Sequence, residues 1–166
     1  IGNTSASALL MSKFTGFSIE ECTGAGAGFD SEGVKRKAAI LREVSEKYNV
    51  TDPLDILATF GGLEIAMMVG AFIEGYRQKM ILLVDGFIAT NAVLTAMQFE
   101  PGVKDNCVFS HSSNEQGHVK LLKFLNEEPV LNLGLRVGEG TGAALALPVV
   151  QSAVDFLCEM ASFESA

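Results

Sequence analysis

Five consecutive apolar residues, Met80-Ile81-Leu82-Leu83-Val84, stop abruptly at Asp85-Gly86. A run that short, with no polar alternation, has no solvent face. It reads as a strand buried on both sides, the environment of a parallel sheet. Asn106-Cys107-Val108-Phe109-Ser110 reads as a second buried strand, and Val130-Leu131-Asn132-Leu133 as a third, short strand or an extended segment. Helical patterns surround them: from Ser5 to Ser12, from Leu63 to Arg77, from Phe87 to Phe99, from Glu115 to Leu125 and from Ala143 to Met160. The pattern after Asp30-Ser31 is amphipathic, with Val34, Ala38, Ile40, Leu41 and Val44 expected inside. Asp52-Pro53 starts a further helix that stops at Gly61-Gly62, with proline where its missing N–H does no harm. The helix after it carries few charges and is expected to be buried on several sides. Pro148 lies inside the last pattern and is expected to kink or delay it. Strands alternating with helices define an α/β chain with a mainly parallel sheet, whose ligands bind at the carboxyl ends of the strands. No repeat or linker interrupts residues 1–166, so one domain is expected.

Composition narrows the function. Apolar residues make up 48% of the chain and charged residues 19%, which excludes disorder and leaves apolar surface for a partner. The net charge of -8, with no basic run, argues against nucleic acid. No stretch approaches the ~18 to 20 uninterrupted apolar residues of a membrane span, and no signal peptide is visible. Cys22, Cys107 and Cys158 are widely spaced, which fits reduced cytoplasmic thiols better than disulfides or zinc, and Cys158 is expected to be buried. The chain opens on Ile1-Gly2-Asn3-Thr4 without Met, in what reads as a glycine loop, so a fragment or processed product is expected.

Four segments carry candidate chemistry. In Arg136-Val137-Gly138-Glu139-Gly140-Thr141-Gly142 a carboxylate sits between glycines on a loop that opens a helix. Its flanking glycines let a ligand approach, and a helix N-terminus favours negative charge there. Glu139 either accepts a proton from a substrate or complements the helix dipole, and spacing alone leaves both open. Gly24-Ala25-Gly26-Ala27-Gly28 precedes a helix bearing Lys35, Arg36 and Lys37, a place where backbone N–H groups and cations can hold a phosphate. It is neither GxGxxG nor a Walker loop, which speaks against a dinucleotide oxidoreductase. Asp85, at the end of the first strand, either binds a ribose hydroxyl or caps the next helix. Ser110-His111-Ser112-Ser113 ends the second strand, where hydroxyls and a ring can touch a ligand; His118 reads as a surface or packing residue, and the two histidines form no metal pattern.

In series these segments resemble one family. They are Ile-Gly-Asn-Thr at 1–4, Gly-Phe-Asp-Ser-Glu-Gly-Val-Lys-Arg-Lys at 28–37, Asp52-Pro53-Leu54 and Gly61-Gly62-Leu63-Glu64. Asp85-Gly86-Phe87-Ile88, the run from Ser110 to His118, and Gly138-Glu139-Gly140-Thr141-Gly142-Ala143-Ala144-Leu145 complete them. Together they resemble the nicotinate-nucleotide–dimethylbenzimidazole phosphoribosyltransferases of cobalamin lower-ligand synthesis, along essentially the whole chain. The resemblance implies a three-layer α/β/α Rossmann-like fold with a small second domain, and a homodimer. It implies transfer of the phosphoribosyl group of nicotinate mononucleotide to 5,6-dimethylbenzimidazole, giving α-ribazole 5′-phosphate and nicotinate. It calls for no cofactor or metal.

Residue by residue, Glu139 matches the family's catalytic glutamate, between Gly138 and Gly140. Lys37 matches a lysine near the phosphate, and Gly2, Asn3 and Thr4 the loop lining the nucleotide site. Gly26 and Gly28 fall in the second glycine loop, Asp85 and Gly86 end the first strand, and Ser113 matches a serine of the second strand-end loop. Arg136 either orients the catalytic block, binds the nucleotide or forms a structural ion pair. The family also carries a glutamate and glycine just before the position of Ile1, and an N-terminal segment that builds much of the benzimidazole pocket; neither lies in this sequence. A non-catalytic nucleotide- or azole-binding relative, or an inactive fragment, is the alternative reading.

Overall fold

The computed structural model describes residues 3–26, 28, 30–113, 115–135 and 138–162. In chain order these form α1 (Asn3–Thr15), α2 (Ile19–Cys22), α3 (Ser31–Lys47), α4 (Pro53–Phe60), α5 (Leu63–Arg77), β1 (Leu82–Val84), α6 (Phe87–Ala96), a 3₁₀ turn (Pro101–Asn106), β2 (Cys107–Phe109), α7 (Gln116–Leu125) and α8 (Thr141–Glu159).

Local chemistry sets the helix starts. Ser18 and Glu21 form a reciprocal capping box on α2. The Asp30 carboxylate accepts from the Gly33 N–H at 2.7 Å and starts α3. Asp52 accepts from the Leu54 and Asp55 N–H groups, with Pro53 at the first position of α4.

β1 and β2 pair in parallel, with Leu82 opposite Cys107, Leu83 opposite Val108 and Val84 opposite Phe109. The connection between them runs through α6, so the expected strand–helix–strand unit is present. Of the two forms expected for Val130–Leu133, the extended segment is the one present. Val130–Leu133 follows β2 only as an isolated parallel bridge between His111 and Leu131. The Val130 and Leu131 N–H groups donate to the Phe109 and Ser110 carbonyls at 2.8 and 2.9 Å. Pro129, which has no N–H, precedes this contact, and Gly134, in a left-handed conformation at φ 62°, soon follows it. The segment therefore has room for an edge contact rather than a ladder.

α6 is the centre of the core. It packs against α1, α5, α7 and β1, and Phe87 and Thr90 to Ala96 are all buried. Its polar side chains bond mostly to its own backbone: Thr90 and Thr95 hydroxyls donate to the Gly86 and Asn91 carbonyls, and the Asn91 amide donates to Phe87 O, while Asn91 Oδ1 has no partner among the described residues. Around it lie Leu9, Leu10 and Met11 of α1, Ile65 and Val69 of α5, and Leu121, Leu122 and Leu125 of α7.

Three burial expectations are overturned. Ile40 is exposed, because α3 turns only Ala38 and Leu41 fully inward. α5 is buried on one face alone, with Leu63 and Met67 outward, because α6 covers a single side of it. Cys158 is exposed rather than buried, because α8 touches little: only 11% of its most apolar stretch is covered. That helix has a mean hydropathy of 1.4 and is, by length and composition, apolar enough to cross a membrane, although Gln151, Ser152 and Asp155 interrupt it. Pro148 is accommodated inside α8 rather than delaying its start.

Candidate active site

The carboxyl ends of β1 and β2 open into a cavity of about 780 Å³, within the size range of small-molecule sites. Thr4 at the start of α1 and the Thr23–Gly26 loop form one wall. Asp85, Gly86 and the first turn of α6 form the floor; His111, Ser113 and Glu115 form a second wall; and Gly138 and Glu139 close the mouth. The site lies where an α/β sheet is expected to bind.

The glycine loop needs its glycines. Gly26 and Gly28 have φ of 56° and 124°, left-handed backbone that disfavours side chains. Lys37 reaches over from α3 and donates to the Thr4 hydroxyl at 3.0 Å, beside Gly26. Burial lowers the pKa of its amine, and the negative Glu115 works against that shift. One backbone loop, one hydroxyl and one ammonium thus converge, the donor set that a phosphate requires.

Glu139 and Gly140 form a tight left-handed turn, with φ of 64° and 80°. A glutamate in that region is sparsely populated and persists only where its surroundings impose it. Here the imposing group is Asp85. Its two carboxylate oxygens accept from the Gly140 N–H at 3.2 Å and the Ala143 N–H at 3.1 Å. α8 has no capping side chain of its own, and Asp85 supplies the cap from the end of β1. This corrects one of the two roles expected for Asp85: it caps a helix, but α8 rather than α6, whose N-cap is Gly86 with no side-chain cap, and it also lines the cavity. Asp85→Asn keeps the shape while replacing one accepting oxygen by a donor facing an N–H. The expected cost is about 1 to 2 kcal/mol in a denaturant titration; an unchanged midpoint would mean that the cap contributes nothing.

His111 is buried against this turn. Its Nε2 lies 3.8 Å from an Asp85 oxygen, and neither ring nitrogen has a protein hydrogen bond among the described residues. A Cβ on Gly142 would overlap its ring, so glycine is required there.

His118, expected at a surface or in simple packing, is the residue the sequence hid. It is buried, its ring edge-on to His111 with centroids 6.1 Å apart. Burial, and then the neighbouring His111, push its pKa down to about 4 against a smaller opposing pull from Asp85. The ring is therefore neutral at pH 7. The consequence for stability has a definite sign. Below its unfolded pKa of about 6.5 the unfolded chain takes up a proton that the native ring refuses. Stability contributed above pH 6.5 is thus lost as pH falls towards 4, up to about 3 kcal/mol in all. Urea midpoints at pH 7 and pH 4.5 should differ more for the unaltered protein than for His118→Phe; equal differences would contradict the shift.

Thr4, Gly26, Gly28, Asp85, Gly86, Ser113, Gly138 and Glu139 line the cavity. Lys37 and Gly140 join it through hydrogen bonds to Thr4 and Asp85, and Asn3 is the first residue of α1. Gly2 and Arg136 lie outside the described residues. Glu115, not anticipated, lies across Gly24, where any side chain would meet its carboxylate. No group of three or more metal-ligating side chains occurs among the described residues.

Fold and site together define an α/β protein with a cavity of small-molecule size where two parallel strands end, carrying donors of the kind a phosphate needs. Comparison with known proteins makes the class specific. The family model described as Phosphoribosyltransferase matches residues 1–166, and the chain belongs to that family. It is 50% identical over 167 residues to the nicotinate-nucleotide–dimethylbenzimidazole phosphoribosyltransferase of Variovorax paradoxus (strain S110). It is 51% identical over 170 residues to the enzyme of that name from Dechloromonas aromatica (strain RCB). All of this chain is covered in both matches, against 48% and 49% of those proteins, so the chain spans about half the length of the curated relatives it matches. The crystal structure of CobT from Thermus thermophilus superposes with a TM-score of 0.93 at 37% identity, covering 99% of this chain and 50% of that one.

Proposed function

We propose that the protein from which this chain comes transfers the phosphoribosyl group of nicotinate mononucleotide to 5,6-dimethylbenzimidazole, with Glu139 as general base. The observation that carries the reading is the held Glu139 turn on a cavity that is also lined by a phosphate's donor set. Relatives of the same name at half identity or better support it.

The chemistry follows from what each reactant lacks. The donor's bond from C1′ to nitrogen already has a good leaving group, because the pyridinium departs as a neutral ring and keeps the bonding pair. The acceptor is a weak nucleophile with one N–H and one free nitrogen. Glu139 takes the N–H proton while the other nitrogen attacks C1′, a contribution of typically ~10² to 10⁴-fold. Attack opposite the leaving group turns the β-configured nucleotide into an α-configured product, so both reactants are held in line.

Under this reading Lys37, Thr4, Gly26, Gly28, Gly86 and Ser113 hold the nucleotide. Asn3 and Gly2 contact the nucleotide as well, and Arg136 orients the catalytic turn or binds the nucleotide. Gly138 and Gly140 give the acceptor access to Glu139, and Asp85 holds the turn. The chain forms a single catalytic α/β portion, supported by one continuous core from α1 to α7. The protein works as a cytoplasmic homodimer. Free thiols at all three cysteines support the compartment, and the open apolar side chains of α5 and α8 support further covering surface.

The test is the anomeric configuration of the product made by the full-length protein, read by NMR. An α product is expected. A β product, or none, would overturn the in-line reading.

A further inference from the structure

We propose that His118, held as the neutral Nε2–H tautomer, is a positioning residue that ties the strand-end loop of Ser113 to the N-terminus of α6 at Gly86, and so sets the spacing of two walls of the nucleotide pocket. It rests on the function proposed above for its effect on turnover, but its structural half does not.

The tautomer follows from counting protons. The Thr90 hydroxyl lies 2.9 Å from the Gly86 carbonyl and 3.1 Å from His118 Nε2. A carbonyl only accepts, so the single hydroxyl proton of Thr90 goes to Gly86 O. Nε2 must then be the donor to Thr90 Oγ1. On the other side of the ring, the Ser113 backbone N–H points at Nδ1 at 3.2 Å, and the Ser113 hydroxyl lies 2.8 Å from the same atom. A backbone N–H only donates, so Nδ1 carries the lone pair. The Ser113 N–H is the contact that fixes the tautomer, and a Thr90 hydroxyl turned to the Gly86 carbonyl is consistent with it. The chain of contacts runs from Ser113 through the His118 ring and Thr90 to Gly86, across a buried gap between the loops after β1 and β2. The Ser113 hydroxyl also accepts from the Glu115 N–H at 3.4 Å, so the same link reaches the backbone before α7.

A protonated ring would place a hydrogen on Nδ1, facing the Ser113 N–H, and break the link. The titratable groups facing the ring are His111, after β2, and Asp85, after β1. Burial, reinforced by His111, keeps the ring neutral. The ring is fully buried and packs beside Phe87 and His111, with centroids 6.5 and 6.1 Å away.

The test has two arms on the full-length protein. Two-bond ¹H–¹⁵N correlations of the histidine rings read the tautomer directly. A neutral Nε2–H ring at pH 7 that stays neutral at pH 5 is expected; an Nδ1–H ring, or one charged at pH 5, would overturn the proposal whatever the reaction. In the second arm, His118→Phe fills the same volume without either hydrogen bond, and His118→Asn retains an acceptor towards Ser113. His118→Phe should raise KM for nicotinate mononucleotide about tenfold, the worth of one hydrogen bond, with kcat little changed. His118→Asn should recover part of that loss. Equal KM values for the unaltered protein and His118→Phe, or a Phe variant whose only change is a lower kcat, would overturn the positioning role. If His118→Phe does not fold, the Asn variant and the ring spectra still decide. Absence of turnover in the unaltered protein with a neutral Nε2–H ring would instead count against the proposed reaction alone.

Discussion

Replacing Glu139 by Gln should reduce turnover by about 10² to 10⁴-fold while leaving nucleotide binding within a few fold. Gln has the size and hydrogen-bonding reach of Glu but cannot take a proton from the acceptor. Glu139 is exposed at the mouth of the cavity, so little packing changes. The turn that presents it is fixed by backbone N–H groups bonded to Asp85, not by the Glu139 side chain, and it should survive. Folding stability should therefore stay within about 0.5 kcal/mol, as for most surface substitutions. Parallel assays on the full-length protein check this: steady-state turnover for the chemistry, calorimetric titration with nicotinate mononucleotide for binding. Turnover within threefold of the unaltered protein would remove Glu139 as the base. Loss of binding with loss of turnover would make it a ligand contact instead.

The second large effect is expected at Gly142. Two opposed terms decide its sign. Glycine in a helix costs about 1 kcal/mol relative to alanine, so propensity alone favours Gly142→Ala. Against that, the added methyl would overlap the ring of buried His111, which is boxed in by Asp85 and His118. Overpacking of this kind costs typically about 1 to 3 kcal/mol, and here the ring cannot yield without disturbing Asp85. The net result should be destabilisation of up to about 2 kcal/mol, a fall in Tm of up to roughly 8 °C for a domain of this size. Turnover should fall more than stability suggests, because Gly142 belongs to the first turn of α8, directly after Glu139. A Gly142→Ala protein that is more stable than the unaltered one would show that His111 has space to move.

Local features of the sequence carried far. The apolar run into Asp85-Gly86 marked β1 and the start of α6, because both depend on neighbours in the chain. Asp30 and Asp52 before helical patterns marked two helix starts for the same reason. The Glu139 block stood out because a carboxylate between glycines before a helix is unusual, and the structure places it on the cavity. What failed depended on distant contacts. Asp85 reads as a cap for the adjacent helix, but its partners are 55 and 58 residues away, and no local pattern encodes that. His118 sits near the start of a plainly amphipathic helix. Its burial follows from the inward phase of Leu121, Leu122 and Leu125, but its two hydrogen bonds come from other segments. Cys158, Ile40, Leu63 and Met67 lie exposed against expectation, because apolar character predicts burial only where something covers it. Val130–Leu133 had strand composition but only one bridge's worth of partner.

The reaction itself is the central claim, and the direct measurement is a mass-spectrometric time course of the full-length protein with nicotinate mononucleotide and 5,6-dimethylbenzimidazole. The predicted result is a product with the mass of α-ribazole 5′-phosphate, appearing in step with an equal amount of nicotinate. No such product from a folded protein that binds the nucleotide would contradict it, and would leave this cavity as a binding site whose Glu139 serves another acceptor or none.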